Sequence, residues 1–294
     1  MVTNIKHYIQ LIRPHQYSKN LFMFLPAFFA LKIADIAVIL KLWLAFAIFS
    51  LIASTVYVIN DIRDIEYDKE HPIKRNRPLA SGKIQVKHAA FTAILFALTG
   101  FTVSVFLNMQ MFYLVVLYFI LNILYSVKLK HIAIVDICII AVGFCIRVFV
   151  GGVIADVELS EWIILMTFLL AVFLALAKRR DDVLIFLKSG DKPRKNIDGY
   201  NLEFIDASMI IMASVVIVSY IMYSVSFEVT SRLHTDKLYI TVLFVILGIL
   251  RYLQITFVEN RSGSPTEIFL KDRFIQFSVA AWLLTFGVVI YNAG

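Results

Sequence analysis

Long runs of apolar residues alternate with shorter polar stretches along the whole chain. Each run is close to the roughly 20 residues that an α-helix needs to cross the hydrocarbon core of a bilayer. The runs cover residues 20–36, 41–59, 88–107, 111–127, 132–154, 161–177, 204–226, 238–256 and 274–292. The first run departs most from the pattern, because Pro26 interrupts it and Lys32 and Asp35 lie near its end. The pattern therefore predicts an all-α polytopic membrane protein, a bundle of about nine transmembrane helices.

The composition agrees with this pattern. Of the 294 residues, 60% are hydrophobic and only 17% are charged, whereas soluble domains contain roughly 45–50% apolar residues. A soluble fold needs more polar surface than this chain supplies. The net charge of +7 does not indicate nucleic acid, because the basic residues lie in loops between apolar runs rather than on a soluble domain. We therefore expect the membrane as a partner and no nucleic acid.

The positions of Lys and Arg predict the orientation of the chain in the membrane. Of the 28 basic residues, 22 fall in connections on the side of the N-terminus and 4 on the opposite side. Cytoplasmic connections carry such an excess of Lys and Arg. The expected location is therefore the cell (plasma or inner) membrane, multi-pass, with a cytoplasmic N-terminus and an external C-terminus. The two long polar loops, 60–87 and 178–203, then lie on the cytoplasmic side and are expected to cap the active site there.

An acidic motif follows the second apolar run. If the helix continues past the membrane, Asp61, Asp64 and Asp68 fall at i, i+3 and i+7 on one face, and Asn60 joins them. Carboxylates so close together repel one another unless a cation lies between them, and these oxygen ligands suit Mg²⁺ completed by substrate phosphates. The alternative is a solvated acidic helix end, which is unfavourable at a helix C-terminus. The motif predicts a Mg²⁺ site.

Basic residues follow in the same loop, at Lys74, Arg75 and Arg77. Pro72 and Pro78 predict a bent loop rather than a helix. Arg and Lys side chains both suit phosphate oxygens, so these three residues are expected to bind a polyphosphate beside the metal. The alternative is an ordinary positively charged cytoplasmic loop.

A second set of charged residues ends the sixth apolar run. Lys178 and Arg179 are expected to face the substrate anion, and Asp182 to hold a second cation or to orient a base. Arg147 lies near the middle of the fifth run, where an ionisable residue usually faces a bundle interior or a cavity. Arg147 is therefore a candidate for function, with the structural alternative that it pairs with Asp136 or another buried acid.

The acidic motif resembles the first aspartate motif of the UbiA superfamily of intramembrane prenyltransferases, and the number of runs and the two loops agree over nearly the whole chain. The resemblance implies one UbiA-like transmembrane domain, 1–294. The second motif, Lys178 to Asp182, lacks the usual pair of spaced aspartates and is similar to the branch of decaprenyl-phosphate phosphoribosyltransferases. Further similarities to that branch lie at 13–20, 71–78, Phe144-x-x-Arg147, Gly199-Tyr200 and 264–273.

The resemblance implies Mg²⁺-dependent transfer of 5-phosphoribose from phosphoribosyl diphosphate to a polyprenyl phosphate, with release of diphosphate. In some bacteria such a product enters cell-wall biosynthesis. In this interpretation Asn60, Asp61, Asp64 and Asp68 hold Mg²⁺ and the diphosphate, Lys74, Arg75 and Arg77 contact donor phosphates, and Lys178, Arg179 and Asp182 form an opposite wall. Further candidates for donor or lipid-phosphate contact are Lys19, Lys128, Arg147 and Tyr200.

The residues leave two other functions open. One is a UbiA-type prenyltransferase that moves a prenyl group from a prenyl diphosphate to an aromatic or other small acceptor. The other is a transporter or channel. The concentration of polar residues at one membrane face argues against this function. The sequence also leaves open the length and saturation of the lipid, the number of Mg²⁺ ions, the host and whether the protein is a homo-oligomer.

Overall fold

The computed structural model describes residues 5–70, 74–190, 196–261 and 265–292. Every regular element in these ranges is a helix. The α-helices are α1 (Ile5–Ile12), α2 (Leu25–Phe29), α3 (Ile36–Arg63), α4 (Ile65–Glu70), α5 (Val86–Leu107), α6 (Met109–Val127), α7 (Val135–Ala155), α8 (Glu161–Ser189), α9 (Leu202–Val225), α10 (Phe227–Leu233), α11 (Val242–Phe257), α12 (Pro265–Lys271) and α13 (Arg273–Tyr291).

Eight helices in the described part of the chain are long and apolar enough to cross a membrane. They are α3, α5, α6, α7, α8, α9, α11 with the 3-10 turn before it, and α13. Each of them covers most of one of the last eight apolar runs, because a run of this length satisfies its own backbone hydrogen bonds in a bilayer as a helix. The predicted all-α, multi-pass fold is thereby confirmed.

The first predicted segment, 20–36, is not a single helix. It comprises the end of a 3-10 helix (Pro14–Phe24), the short helix α2 and a 3-10 turn (Lys32–Ala34). Pro26 has no N–H to donate, and Leu31 has a left-handed backbone with φ of 59°. Both features interrupt a regular α-helical ladder. The segment therefore falls short of the regular span that its hydrophobicity predicts.

Residues 13–34, which contain most of this irregular segment, nevertheless lie along most of α3. At one end Arg13 Nη2 donates to Asp61 Oδ1 at 2.5 Å, and at the other the rings of Phe24 and Trp43 lie 4.9 Å apart. Asp61 and Trp43 are 18 residues apart on α3, or about 27 Å at 1.5 Å per residue. That distance approaches the hydrocarbon thickness of roughly 30 Å. The irregular segment thus lies beside α3 over nearly that distance, but it is not one of the eight helices in the described residues that are long and apolar enough to cross a membrane.

Close packing against α7 holds this segment in place. A Cβ atom added at Gly151 would lie 2.0 Å from the backbone carbonyl oxygen of Met23, so only glycine fits there. Small residues allow this kind of backbone approach between membrane segments. Met23 and Ala27 are fully buried in the same apolar cluster. The segment is therefore part of the core rather than a surface loop.

The chain divides into two compact units. The first comprises Met1–Leu129 and Gly143–Leu159, and the second comprises Lys130–Val142 and Ser160–Gly294. The core of the first unit centres on α3, and that of the second centres on α8, α9 and α11. Each unit contains one of the two charged motifs. The prediction of one domain, 1–294, stays a prediction.

Candidate active site

The acidic motif occupies a break between two helices rather than one continuous helix. Helix α3 ends at Arg63, Asp64 has non-helical dihedral angles (φ −95°, ψ 10°), and α4 begins at Ile65. The expectation of an unbroken helical face is therefore wrong. The backbone N–H of Asp64 still donates to Asn60 and that of Asp68 to Asp64, so the chain bends without leaving these groups unpaired. Asp61 and Asp68 both contact one guanidinium, that of Arg77.

Two arginines bind the carboxylates of this motif. Arg77 Nη1 donates to Asp68 Oδ2 at 2.7 Å and to Asp61 Oδ1 at 3.1 Å, and Arg13 Nη2 donates to the same oxygen of Asp61. Asp61 and Asp68 are each only 2% exposed. Buried carboxylates need such partners, because an unpaired buried charge is very costly. We refer to Arg13, Asp61, Asp68 and Arg77 as the acidic-motif cluster.

The acidic-motif cluster has the donor set of a cation site, with guanidinium groups in the cation's role. Among the described residues, no three acidic, histidine or cysteine side chains lie close enough together to hold a metal ion. Asp68 Oδ1, however, is buried and accepts no hydrogen bond within that part of the chain. A buried carboxylate oxygen without a donor matches a hard cation such as Mg²⁺, which binds oxygen ligands. The residues present therefore fit the predicted metal.

The basic loop continues directly from this cluster. Lys74 and Arg75 lie in a 3-10 turn (Lys74–Asn76), and the backbone N–H of Arg77 donates to Lys74 O at 2.9 Å. Lys74 Nζ lies 5.2 Å from the ring centre of Tyr67, and Arg75 is exposed. The predicted bent loop is present in these residues. The parts of the motif at 71–73 lie outside the described residues.

Lys19 and Lys128, two of the further candidates, also belong to the first unit. Lys19 lies on the 3-10 helix that begins at Pro14, and Lys128 is exposed where α6 ends. Burial lowers the pKa of His15, and the cations Arg13 and Lys19 lower it further. The stretch just before the irregular segment is thus electropositive, which favours an anionic ligand there.

The second motif forms a different cluster at the end of α8. Arg179 Nε donates to Asp136 Oδ2 at 2.6 Å, and Arg179 Nη1 donates to Asp182 Oδ2 at 2.9 Å. The hydroxyl of Tyr200 donates to Asp136 Oδ1 at 2.6 Å. The side chains of Asp136 and Arg179 are fully buried, whereas Asp182 retains 15% exposure. We refer to Asp136, Arg179, Asp182 and Tyr200 as the Arg179 cluster.

One atom of the Arg179 cluster has no partner. Arg179 Nη2 is buried and has no acceptor among the described residues. Lys178, the preceding residue, is exposed. A buried guanidinium nitrogen without a partner would be stabilised by an acceptor oxygen, as the buried Asp68 Oδ1 would be stabilised by a cation or a hydrogen-bond donor. The two motifs thus differ in what they lack: a donor or cation at a buried carboxylate oxygen in the first, and an acceptor at a buried guanidinium nitrogen in the second.

Within the described part of the chain, Arg147 is buried among neutral hydrogen-bond partners and not beside an acid as the sequence suggested. It is 5% exposed, and its guanidinium donates to Asn20 Oδ1 at 2.8 Å, Gly143 O at 2.6 Å and the Tyr118 hydroxyl at 3.1 Å. The rings of Phe49, Tyr118 and Phe144 lie 5.0–5.4 Å from its Cζ. The suggested pairing with Asp136 is wrong, because Asp136 binds Arg179. This placement favours a structural role, in which Arg147 ties the irregular segment to α7.

Sequence reasoning missed two residues of these clusters as site residues, Arg13 and Asp136. Arg13 precedes Pro14 and has a left-handed backbone with φ of 54°, a conformation that is uncommon for a non-glycine residue. Asp136 is an acid within an apolar run, which is the usual signal of a functional or paired residue in a membrane span. Neither feature indicates which residue is the ion-pair partner. The partner lies 48 residues away for Arg13 and 43 residues away for Asp136.

The chain is similar to known proteins along nearly its whole length. Residues 20–278 match the model of the UbiA prenyltransferase family. The chain is 34% identical to a decaprenyl-phosphate phosphoribosyltransferase of Mycolicibacterium smegmatis, over 96% of this chain and 92% of that protein. It is 29% identical to a protein of the same name from Mycobacterium tuberculosis, over 96% and 93%. The solved structure of a UbiA homolog from Archaeoglobus fulgidus bound to GPP and Mg²⁺ superposes with a TM-score of 0.72 at 20% identity, over 96% of this chain and 99% of that one.

These matches define the class of the protein. The family model covers most of the chain, and the fold is shared along nearly its whole length. The chain belongs to the UbiA prenyltransferase family, and it is a multi-pass membrane protein.

Proposed function

We propose that the protein transfers 5-phosphoribose from phosphoribosyl diphosphate to a polyprenyl phosphate and releases diphosphate. The bond between C1 of the ribose and the diphosphate oxygen breaks, and the electron pair leaves with diphosphate. An oxygen of the lipid phosphate forms the new bond to C1. This oxygen is already anionic at neutral pH, so the reaction needs no strong general base, and the described clusters contain no His–acid pair that would supply one.

The observation that carries this proposal is the basic character of the second motif. The usual UbiA pattern has a second pair of spaced aspartates at this position. In this chain Lys178 and Arg179 precede Asp182 instead. Arg179 is buried and binds both Asp136 and Asp182. Cations at this position suit a donor that carries a phosphate in addition to its diphosphate. Relatives named decaprenyl-phosphate phosphoribosyltransferase, matched over most of this chain, support the same donor.

The first motif would hold Mg²⁺ through Asn60, Asp61, Asp64 and Asp68. The unpaired Asp68 Oδ1 supports this assignment, as does the Mg²⁺ named for the Archaeoglobus fulgidus homolog. When bound there, Mg²⁺ would neutralise charge that develops on the departing diphosphate. Arg77, now on Asp61 and Asp68, is then available to a phosphate oxygen, and Lys74 and Arg75 contact the same group.

Lys178 and Arg179 would bind the further phosphate, and Asp182 is kept in place by Arg179. Lys19 and Lys128 are proposed contacts for donor or lipid phosphate at the electropositive end of the first unit. The Tyr200 hydroxyl is already used by Asp136 and by the N–H of Ile134, which favours an indirect role. Arg147 likewise has protein partners for its guanidinium, which favours an indirect role in substrate binding.

The acceptor determines where the reaction takes place. A polyprenyl chain is insoluble in water, and its phosphate lies at the membrane surface. The excess of Lys and Arg on the side of the two motifs supports a cytoplasmic active site with a cytoplasmic N-terminus. A soluble donor then reaches the site from the cytoplasm, while the lipid stays in the bilayer. We also propose that both units act together as one UbiA-like domain, 1–294.

Donor binding tests this proposal. Thermal unfolding of the purified protein with Mg²⁺ should shift upward with phosphoribosyl diphosphate, because a ligand that binds the folded state stabilises it. Lys178→Asp should remove this shift. Lys188→Asp, which reverses an exposed charge ten residues later on the same helix, is the matched control and should retain it.

The alternative donor is a prenyl diphosphate, as in the homolog whose structure contains GPP. The first motif would bind that donor equally well, but the second motif lacks the usual pair of spaced aspartates, which argues against it. A shift with a prenyl diphosphate and none with phosphoribosyl diphosphate would favour this alternative and overturn the proposal.

A further inference from the structure

A buried chain of hydrogen bonds begins at Asp136, which lies outside the set of residues that the sequence suggested as a site. Asp136 Oδ2 accepts from Arg179 Nε, and the two side chains are fully buried. Removing one partner of such a pair leaves an uncompensated charge in a low-dielectric interior. The planar guanidinium also takes its direction from the carboxylate that it binds. Asp136 therefore compensates the charge of Arg179 and fixes the orientation of its guanidinium.

The second oxygen of Asp136 is fixed in turn by Tyr200. The Tyr200 hydroxyl donates to Asp136 Oδ1, and its oxygen accepts the backbone N–H of Ile134 at 2.7 Å. Burial raises the pKa of Tyr200, and the bond to Asp136 raises it further, so the hydroxyl stays protonated and continues to donate. Asp136 thus has one partner on each oxygen, and little freedom to rotate.

Arg180, the next residue, provides an internal comparison. Its guanidinium donates to Asp206 Oδ1 at 2.8 Å, Thr256 O at 2.7 Å and Asn260 Oδ1 at 3.1 Å. Among the described residues, no nitrogen of Arg180 is buried without a partner, whereas Nη2 of Arg179 is. Nε and Nη1 of Arg180 are therefore bound by the protein, whereas Arg179 keeps one buried nitrogen for an acceptor that the described residues do not supply.

We infer that Asp136 is a positioning residue of the phosphate site: through Arg179 it keeps the Nη2 N–H groups ready for a phosphate oxygen and keeps Asp182 in place. Tyr200 acts on the same phosphate indirectly, by orienting Asp136. The inference rests on the proposed function, because the phosphate is one that the donor or the polyprenyl phosphate carries. In this account neither Asp136 nor Tyr200 contacts the substrate.

The test measures two affinities of the full-length protein in lipid nanodiscs. One titration uses phosphoribosyl diphosphate with Mg²⁺ and the other uses a polyprenyl phosphate. Asp136→Asn should weaken one of these affinities by roughly 10- to 100-fold, the size expected for losing a hydrogen bond to a charged group. Tyr200→Phe should weaken the same affinity by less. The ligand whose affinity falls identifies the phosphate that Arg179 binds.

A double-mutant cycle separates positioning from general damage. In an Arg179→Lys background, Asp136→Asn should cause no further loss of affinity, because its effect passes through Arg179. Asp206→Asn removes the carboxylate partner of Arg180 and is the matched control, which should leave both affinities unchanged.

Three results would overturn the inference: an unchanged affinity in folded Asp136→Asn, an equal loss in Asp206→Asn, or additive losses in the cycle. If Asp136→Asn does not fold, Tyr200→Phe takes its place in the cycle with Arg179→Lys. Additive losses of affinity in that cycle would then overturn the inference. A wild-type protein that does not bind phosphoribosyl diphosphate counts against the proposed function instead, and the lipid titration then decides the role of Asp136.

Discussion

Arg77 donates from one nitrogen to Asp68 at 2.7 Å, and Asp68 is only 2% exposed. The same nitrogen reaches Asp61 at 3.1 Å, so one guanidinium bridges two carboxylates of the acidic motif. A metal ion that enters this cluster has to compete with that guanidinium. A diphosphate that accepts the guanidinium releases the carboxylates at the same time. Metal and diphosphate are therefore expected to bind together more tightly than either binds alone.

Replacement of Arg77 tests this competition. Arg77→Ala should tighten the binding of Mn²⁺ to the donor-free protein by about tenfold, or 1.4 kcal/mol, because the competing cation is gone. Its affinity for phosphoribosyl diphosphate should fall. Electron paramagnetic resonance of free Mn²⁺ measures the first effect. Lys83→Ala, an exposed cation in the same loop, is the control, and metal binding that is unchanged or weaker in Arg77→Ala would contradict the competition.

The packing of the irregular segment predicts opposite results for two glycine substitutions. Gly151→Ala places a Cβ 2.0 Å from Met23 O, a backbone atom that cannot move alone. We expect a loss of about 1–3 kcal/mol, as for other overpacked cores. Gly287→Ala has nothing within 4 Å and lies within α13, so it should stabilise by about 0.5–1 kcal/mol. Thermal unfolding in detergent compares the two, and similar effects would refute the close approach.

Arg147 and Asn20 should behave as one unit in stability measurements. Arg147→Lys cannot reproduce the planar donor set that binds Asn20, Gly143 and Tyr118, and it should cost about 1–3 kcal/mol. Asn20→Ala should cost less when Arg147 is already replaced, because the shared hydrogen bond is lost only once. Strictly additive losses in the double variant would show that the two side chains do not interact.

The fold was largely predictable from the sequence, because apolar runs of this length have to be helical in a bilayer. The irregular segment was predictable in position but not in form. Pro26 showed where an α-helix would be interrupted, whereas the packing of Met23 on Gly151 depends on residues far apart in the chain. Hydrophobicity indicates that a segment lies in the membrane, but it does not indicate which neighbour the segment packs against.

The candidate site was predictable in composition and only partly in arrangement. The spacing of Asp61 and Asp68 predicts a cation site on the assumption of an unbroken helix. In the structure the helix is interrupted at Asp64. The partners of the charged residues could not be inferred, because an arginine at position 13 and an aspartate at position 136 carry no local sign of Asp61 or Arg179. Ion pairs between distant segments are fixed by packing, not by spacing.

The salt bridge between Asp272 and Arg251 predicts a pH dependence of stability. The hydrogen bond from Arg251 lowers the pKa of Asp272 below its usual value of 3.8. A carboxyl whose folded-state pKa is lowered stabilises the fold above the unfolded value, and this stabilisation is lost as the pH falls through the folded pKa. Asp272→Asn removes the charge and retains an acceptor for the N–H of Ile275 at the start of α13.

The expected difference in thermal midpoint between wild type and Asp272→Asn is therefore full at neutral pH and shrinks below about pH 4. Unfolding curves recorded from pH 7 to pH 3 measure it. A difference that stays constant over this range would show that the ionised carboxylate contributes nothing to the stability.

The most direct test of the account is product formation by the purified protein in detergent, with labelled phosphoribosyl diphosphate, a polyprenyl phosphate and Mg²⁺. The account predicts a labelled lipid that disappears without metal and in an Asp64→Asn variant. Turnover of a prenyl diphosphate with an aromatic acceptor, and no labelled lipid from phosphoribosyl diphosphate, would contradict it and assign the protein to prenyl transfer.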